Sequence, residues 1–324
     1  MPKKLILISD RAEDLTFGQS VAEEVGVALE QKASIPDAIT AIQGTEEPII
    51  FIDVEENSTF KQFEDAIGQT FGIYSEKINP NAIHVISNQE LPQAKEVLLS
   101  PVFGSFISRK YQDPSIAGKR YGMLVKSSTQ ERAFGTERFF SSSANVQTVN
   151  FQSTAQKQNG VEAVKNFLIQ AQFKTRMATV IANAVDELIM NAMFDAPVDE
   201  LGKQIYQSTP RNKVFELKDK SQVEMKVAYD SQYVGITAID HWGSLDKERL
   251  LKHISKRYQD EEYQVKTTSA GAGIGLATIF RSGGSFFFVS DKGARTEVTT
   301  FFKKTNNFRE FKDQFRFIST QFYF

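Results

Sequence analysis

Several short segments in the second half of the chain carry residue types that nucleotide chemistry uses. Asn183, Glu187, Asn191 and Asp195 recur every fourth residue, which stacks their side chains in one polar stripe on a helix. A carboxylate then sits one turn before an amide: the Asn191 oxygen can ligate Mg²⁺, and Glu187 can take a proton from water or a protein hydroxyl. Asp240-His-Trp-Gly243 ends a predicted strand. A shielded carboxylate there can accept the exocyclic N–H of adenine, and Gly243 lets a base approach the backbone. Gly271-Ala-Gly273-Ile-Gly275-Leu276 opens a helix-compatible run, leaving backbone N–H groups accessible to an anion. It lacks the Gly-Lys-Ser/Thr ending of a Walker loop, and no strand precedes it as a dinucleotide fingerprint requires. Thr296, within Arg295-Thr296-Glu297, can offer its hydroxyl near the adenine. Each segment also has a plain reading: the stripe as a solvated helix face, Asp240 and Gly243 as turn residues.

The elements that must position these groups follow from periodicity. A helical pattern runs from about Val161 through Asn191, with a break near Gln172, and Ile181, Val185, Leu188 and Ala192 form its apolar stripe. A hairpin, 223–228 with 234–239, brings in Asp240, while Gly283-Gly284 turns the chain into strands at 285–290 and after Gly293. Taken in order, Glu187-x-x-x-Asn191, Asp240-x-x-Gly243, Gly271-x-Gly273-x-Gly275 and Arg295-Thr296-Glu297 resemble the Bergerat-type ATP-binding domain of gyrase, histidine-kinase, chaperone and mismatch-repair ATPases. The resemblance covers residues 160–324. It implies an α/β sandwich, a mixed sheet with helices on one face, that binds ATP and Mg²⁺. Glu187 is then the general base, Asn191 the Mg²⁺ ligand, Asp240 the adenine reader with Gly243, Gly271 to Gly275 with Leu276 the phosphate loop, and Thr296 a supporting contact. Residues 245–269 form the lid, where Lys252, Lys256 and Arg257 are either phosphate contacts or a solvated helix face. Relatives commonly carry D-x-G-x-G where this chain has Asp240-His241-Trp242-Gly243-Ser244, and His241 reads as a packing residue.

In the first hundred residues, β-rich runs at 5–8, 49–52, 82–86 and 103–107 alternate with helix-compatible stretches at 12–29, 60–71 and 92–99. This predicts a parallel α/β layer, with polar groups gathered at the strand ends. Asp10, Asp53, Ser87 and Lys110 stand at those ends, and their order resembles a response-regulator receiver domain. The resemblance makes Asp53 a phospho-acceptor, with Asp10, Ser87 and Lys110 around it. The alternative is an α/β domain in which Asp53 merely ends a strand. Past Lys110, Asp113-Pro114 and Gly118 predict an interrupted final helix, and 121–125 reads as a strand. The expected organisation is a degenerate receiver-like domain over 1–125, a polar connector over 126–159 and the ATP-binding domain over 160–324.

Composition bounds the function classes. The 324 residues are 41% hydrophobic and 24% charged, enough for two cores. A net charge of -2 supplies no basic field, which argues against a nucleic-acid partner. The absence of cysteine excludes disulfides and thiolate metal sites, and His84, His241 and His253 are too scattered for a zinc cage. The apolar start at 5–8 is too short for a signal peptide, and no purely apolar run approaches the roughly 20 residues of a bilayer span. A cytoplasmic chain without a membrane span is expected. Many of the 27 phenylalanines fall in the last two dozen residues, a tail that reads as a packing element or a homodimer contact, with a membrane-surface role as the alternative.

No histidine occurs between Lys126 and Met190, which disfavours an autophosphorylating histidine kinase, and only a short tail follows the ATP segments, unlike the gyrase and mismatch-repair proteins. The chain resembles anti-sigma-type serine kinases best. That implies a signalling protein whose ATP site phosphorylates or regulates a partner resembling an anti-anti-sigma or sigma factor, under control of the receiver-like domain. A non-enzymatic ATP-dependent interaction switch and a slow ATPase use the same pocket.

Overall fold

The structure is a computed structural model describing residues 3–72, 78–89, 93–100, 102–130, 134–140, 144–206, 208–251 and 274–323. The chain is α/β throughout and divides into two compact units, Met1–Ala133 with Phe315–Thr320, and Phe134–Gln314 with Gln321–Phe324.

In the first unit, β1 (Lys4–Ile8), β2 (Ala28–Lys32), β3 (Ile49–Asp53), β4 (Ile83–Ser87) and β5 (Ser105–Ser108) form a parallel sheet in the order β2-β1-β3-β4-β5. That is a doubly wound order with a switch point between β1 and β3. The central strands are almost wholly buried, which is why they read as continuous apolar runs. The edge strand β2, Ala-Leu-Glu-Gln-Lys, is half exposed and carries no such run, so the sequence pattern merges it into the preceding helix. In the structure α1 (Ala12–Val25) stops at Gly26, which takes the left-handed conformation of a helix C-cap. The remaining helices are α2 (Ile35–Gln43), α3 (Asn57–Phe71), α4 (Lys95–Leu98) and α5 (Pro114–Gln130). Beyond β5, residues Arg316–Ser319 of β11 (Arg316–Tyr323) pair antiparallel with Ser108–Ser105.

α5 corrects the expectation of an interrupted helix. Asp113 caps it, its carboxylate accepting from the backbone N–H groups of Ser115 and Ile116, and Pro114 occupies the first turn, where its missing N–H costs nothing. Gly118 is inside the helix because α1 passes against it. A Cβ there would lie 2.4 Å from the Phe17 carbonyl oxygen. The tertiary contact, not local propensity, selects the glycine.

In the second unit, β6 (Asn145–Phe151), β7 (Val223–Tyr229), β8 (Tyr233–Asp240), β9 (Ser285–Asp291) and β10 (Arg295–Lys303) form an antiparallel sheet in the order β9-β10-β8-β7-β6. The expected connector, 126–159, differs from the structure. It contains the end of α5 and all of β6, whose mostly exposed edge-strand side chains give it a polar composition. The helices are α6 (Lys157–Gln170), α7 (Thr175–Met190), α8 (Ile274–Arg281) and α9 (Phe308–Lys312). Gln172, at φ 66, breaks α6 from α7. α7 lies on β8 and β10 and touches α6 and α8. The stretch Thr175–Asp195 has the length and hydropathy of a membrane span, and 61% of its most apolar window is buried within the protein. In the tail, Phe302 and Phe311 stack with ring centroids 5.5 Å apart, and Phe311 is fully buried.

Candidate functional site

Strand register builds the floor of the candidate site. Asp240 at the end of β8 lies opposite Thr296 of β10, which lies opposite Ser290 of β9. Two residues along, Ala238, Val298 and Phe288 form the next row. Because side chains alternate across a sheet, both rows share one face, and the residue between them, Glu297, takes the other. Asp240, Thr296, Ala238, Val298 and Phe288 line a cavity of about 120 Å³, closed by Leu188 and Ala192 and by Leu276 of α8. Apolar side chains make up most of the floor, with Asp240 and Thr296 together at the strand end, and the polar side chains Asn191, Asp195, Gln204, Asp246 and Arg249 also line the cavity.

Asp240 is 7% exposed. One of its oxygens accepts from the backbone N–H groups of Trp242 at 2.9 Å and Gly243 at 3.3 Å, a turn that fixes the carboxylate in place. Burial pushes its carboxyl up to about 6, against the pull of those two N–H groups and the Thr296 hydroxyl. Gly243 is at φ 58, and a Cβ there would stand 2.0 Å from the Asp291 carbonyl oxygen. Its smallness serves packing under the β9–β10 turn, where Gly293 donates to the Gly243 carbonyl at 3.1 Å.

The polar stripe of α7 divides. Asn183 is exposed and belongs to the solvated face. Glu187 is half-buried and lines a second cavity of about 470 Å³. At Asn191 the helix widens into a π turn, Asn191–Asp195, closed by Ala196 N–H donating to the Asn191 carbonyl at 3.0 Å. Such turns recur at functional sites because they re-aim side chains. Asn191 borders both cavities, so it stands between Asp240 on one side and Glu187 on the other. Asp195 also lines the first cavity and is paired with Arg211 at 2.7 Å.

The other sequence-stated residues distribute as follows. Glu297, fully buried, accepts from the Gly135 N–H at 2.8 Å and pairs with Arg295, away from the cavity. Gly275 falls in α8. Gly271 and Gly273, with Lys252, Lys256 and Arg257, lie outside the described residues. The apolar wall, Ala238, Phe288 and Val298, was invisible as a site in the sequence because each residue reads as ordinary strand core. Arg211 carried no motif at all.

A second polar cluster lies at the strand ends of the first unit. Asp53 ends β3 and Ser87 ends β4, as the receiver-like reading expects. The neighbouring acid is Asp14 of α1, fully buried and accepting from the Ser9 hydroxyl at 2.8 Å, whereas Asp10 is exposed. The cation among them is Arg109, one residue before the expected Lys110. Its guanidinium is 1% exposed and pairs with Asp14 at 2.9 Å, with Asp53 and with Glu55. Burial opposes its charge, but the Asp14, Glu55 and Asp53 carboxylates overcome that and hold its pKa above the ordinary arginine value. Arg11 pairs with the second Asp53 oxygen at 3.0 Å. Ser87 donates to the Val54 carbonyl. Asp14 escaped sequence reasoning because it sits inside a helix, and Arg109 because a strand-end arginine is unremarkable until acids from α1 and the end of β3 converge on it.

No protein-family profile and no curated protein matches the sequence. Among solved structures, a chain of the SiaB-SiaC complex from Pseudomonas aeruginosa aligns at 14% identity and a TM-score of 0.28, over 47% of this chain and 88% of that one. A likeness of this size decides neither fold nor function.

Proposed function

We propose that the second unit binds Mg·ATP and uses it to phosphorylate or regulate a partner protein, with the first unit as its regulatory module. The observation that carries this reading is the convergence of Asp240, Thr296, Asn191 and Leu276 from four separate segments on one cavity. An apolar floor of Ala238, Val298 and Phe288 with the Asp240 carboxylate and the Thr296 hydroxyl beside it suits a heteroaromatic base bearing an exocyclic amine. Asp240 would accept that amine's N–H, its position held by Trp242 and Gly243.

The residues fit Mg²⁺ only as a partner of the nucleotide. Among the described residues no group of three or more His, Cys, Asp or Glu side chains could hold a metal ion, and a single amide such as Asn191 suffices only when phosphates supply the other ligands. When bound, the ion would neutralise charge developing on the transferred phosphoryl group. Glu187, in the adjoining cavity, would take the proton of the acceptor hydroxyl. A protein Ser/Thr is the favoured acceptor; an ATP-dependent switch without transfer and a slow ATPase remain the competing uses of the same pocket.

In the first unit the cluster around Arg109 argues for regulation through packing and contacts rather than through phosphorylation of Asp53. Both Asp53 oxygens are engaged by guanidinium groups, and a buried guanidinium stands among the acids that would otherwise attract a divalent cation.

Trp242, the single tryptophan, lies two residues from Asp240 and serves as an intrinsic reporter. Titration with Mg·ATP should change its emission, and γ-labelled ATP with candidate partners should separate the uses of the pocket. Label on a partner that disappears in Glu187→Ala supports a kinase; binding without transfer or phosphate release supports a switch. Unchanged emission together with no thermal shift on adding Mg·ATP would remove the nucleotide assignment.

A further inference from the structure

The cavity beside Glu187 carries three basic side chains, where the Asp240 cavity has one, Arg249. Lys157 at the start of α6 and Arg211 and Lys213 of the segment before β7 all line it, against two carboxylates, Asp186 and Glu187. Asp186 is already neutralised by Lys157 at 2.6 Å. Arg211 is held from the far side: its Nη2 donates to Asp195 at 2.7 Å, and its guanidinium stands over the Phe194 ring at 5.1 Å. Its other terminal nitrogen, Nη1, is buried with no hydrogen-bond partner. An unpaired buried guanidinium N–H is costly, so the side chain has donor capacity that its protein partners leave unused.

The location identifies that acceptor. Asn191 borders this cavity and the Asp240 cavity, so a ligand whose base sits against Asp240 reaches the Lys157, Arg211 and Lys213 side chains by passing Asn191. Asp195, one turn beyond Asn191, holds Arg211 at this passage and acts as a positioning residue. We infer that the cavity lined by Lys157, Arg211 and Lys213 takes the polyphosphate end of the nucleotide, with the Arg211 guanidinium among its donors. The inference rests on the nucleotide reading of the Asp240 cavity and extends it to residues that no motif marks. It explains why a guanidinium is used: a planar fork gives one edge to Asp195 and keeps donors for phosphate, which an ammonium cannot do with fixed geometry.

The test compares adenosine, ADP, ATP and inorganic pyrophosphate by calorimetry on the full chain, as wild type, Arg211→Gln and Lys213→Gln. Lys213 is exposed, so its variant leaves the fold unperturbed, and circular dichroism checks the Arg211 variant. The expected result is a roughly ten- to hundredfold loss of ATP and pyrophosphate affinity in Arg211→Gln, a smaller loss in Lys213→Gln, and unchanged adenosine affinity in both. Wild-type ATP binding that both variants retain in full overturns the inference while leaving the nucleotide site standing. Pyrophosphate binding that depends on Arg211, without any binding of adenosine or ATP, overturns the nucleotide reading and leaves a bare anion site. Binding of none of the four ligands to the wild type overturns both.

Discussion

Replacing Asp240 by asparagine should make the protein more stable and unable to hold ATP. The carboxylate is 7% exposed, and its pKa is raised from 3.8 to about 6, mainly by burial. A raised acid carries a penalty that is absent where both folded and unfolded states are protonated, grows as pH rises past the unfolded value, and is complete above the folded one. About two pK units at about 1.4 kcal/mol each make that penalty about 3 kcal/mol at pH 7.5. Asparagine is isosteric, keeps the oxygen that accepts from Trp242 and Gly243, and carries no charge. Asp240→Asn should therefore gain about 3 kcal/mol, or roughly 6 to 12 °C in unfolding midpoint, at pH 7.5, with the gain shrinking as pH falls and gone below about pH 3. The same change turns an acceptor toward the adenine amine into a donor, which should cost roughly a hundredfold or more in ATP affinity. Wild-type affinity should itself weaken as pH falls through about 6, where the carboxylate protonates. Thermal melts at several pH values and Trp242 fluorescence titrations test both halves. A variant no more stable than wild type at pH 7.5 refutes the argument from the buried charge, and one that binds ATP normally refutes the role of Asp240.

Three further outcomes follow from the packing. Gly243→Ala meets the Asp291 carbonyl at 2.0 Å in a left-handed backbone conformation and should destabilise the second unit by more than about 2 kcal/mol, with loss of nucleotide binding, read from urea denaturation and Trp242 emission. Arg109→Ala strands the fully buried Asp14 carboxylate and should cost about 3 to 5 kcal/mol in chemical denaturation; lysine at 109 should not restore it, since one ammonium cannot serve three carboxylates drawn from α1 and the end of β3. In wild type, an acyl phosphate with Mg²⁺ should leave Asp53 unmodified by mass spectrometry, and an aspartyl phosphate there would overturn the reading of the Arg109 cluster.

How much was legible in the chain depended on whether a signal was local. The buried parallel strands at 5–8, 49–52 and 83–87 announce themselves as apolar runs because both of their faces are covered. Edge strands have one free side, so β2 and β6 read as helix and connector. Asp113-Pro114 reads as a break in isolation but is a helix start once the following turn forms.

The sequence by itself determined the order and chemical type of the groups: an acid and an amide one helical turn apart, an Asp at a strand end, a threonine on a late strand. Those follow from helix and strand periods, which are properties of the local backbone. Only the tertiary structure decided their use. Register alone put Thr296 beside Asp240 and sent Glu297 to the opposite face, since a sheet assigns faces by pairing. Burial alone raised Asp240, and convergence alone assembled Arg211 with Glu187 and Arg109 with Asp14, Asp53 and Glu55. Desolvation and charge pairing depend on neighbours brought from distant segments, and no spacing along the chain encodes that proximity.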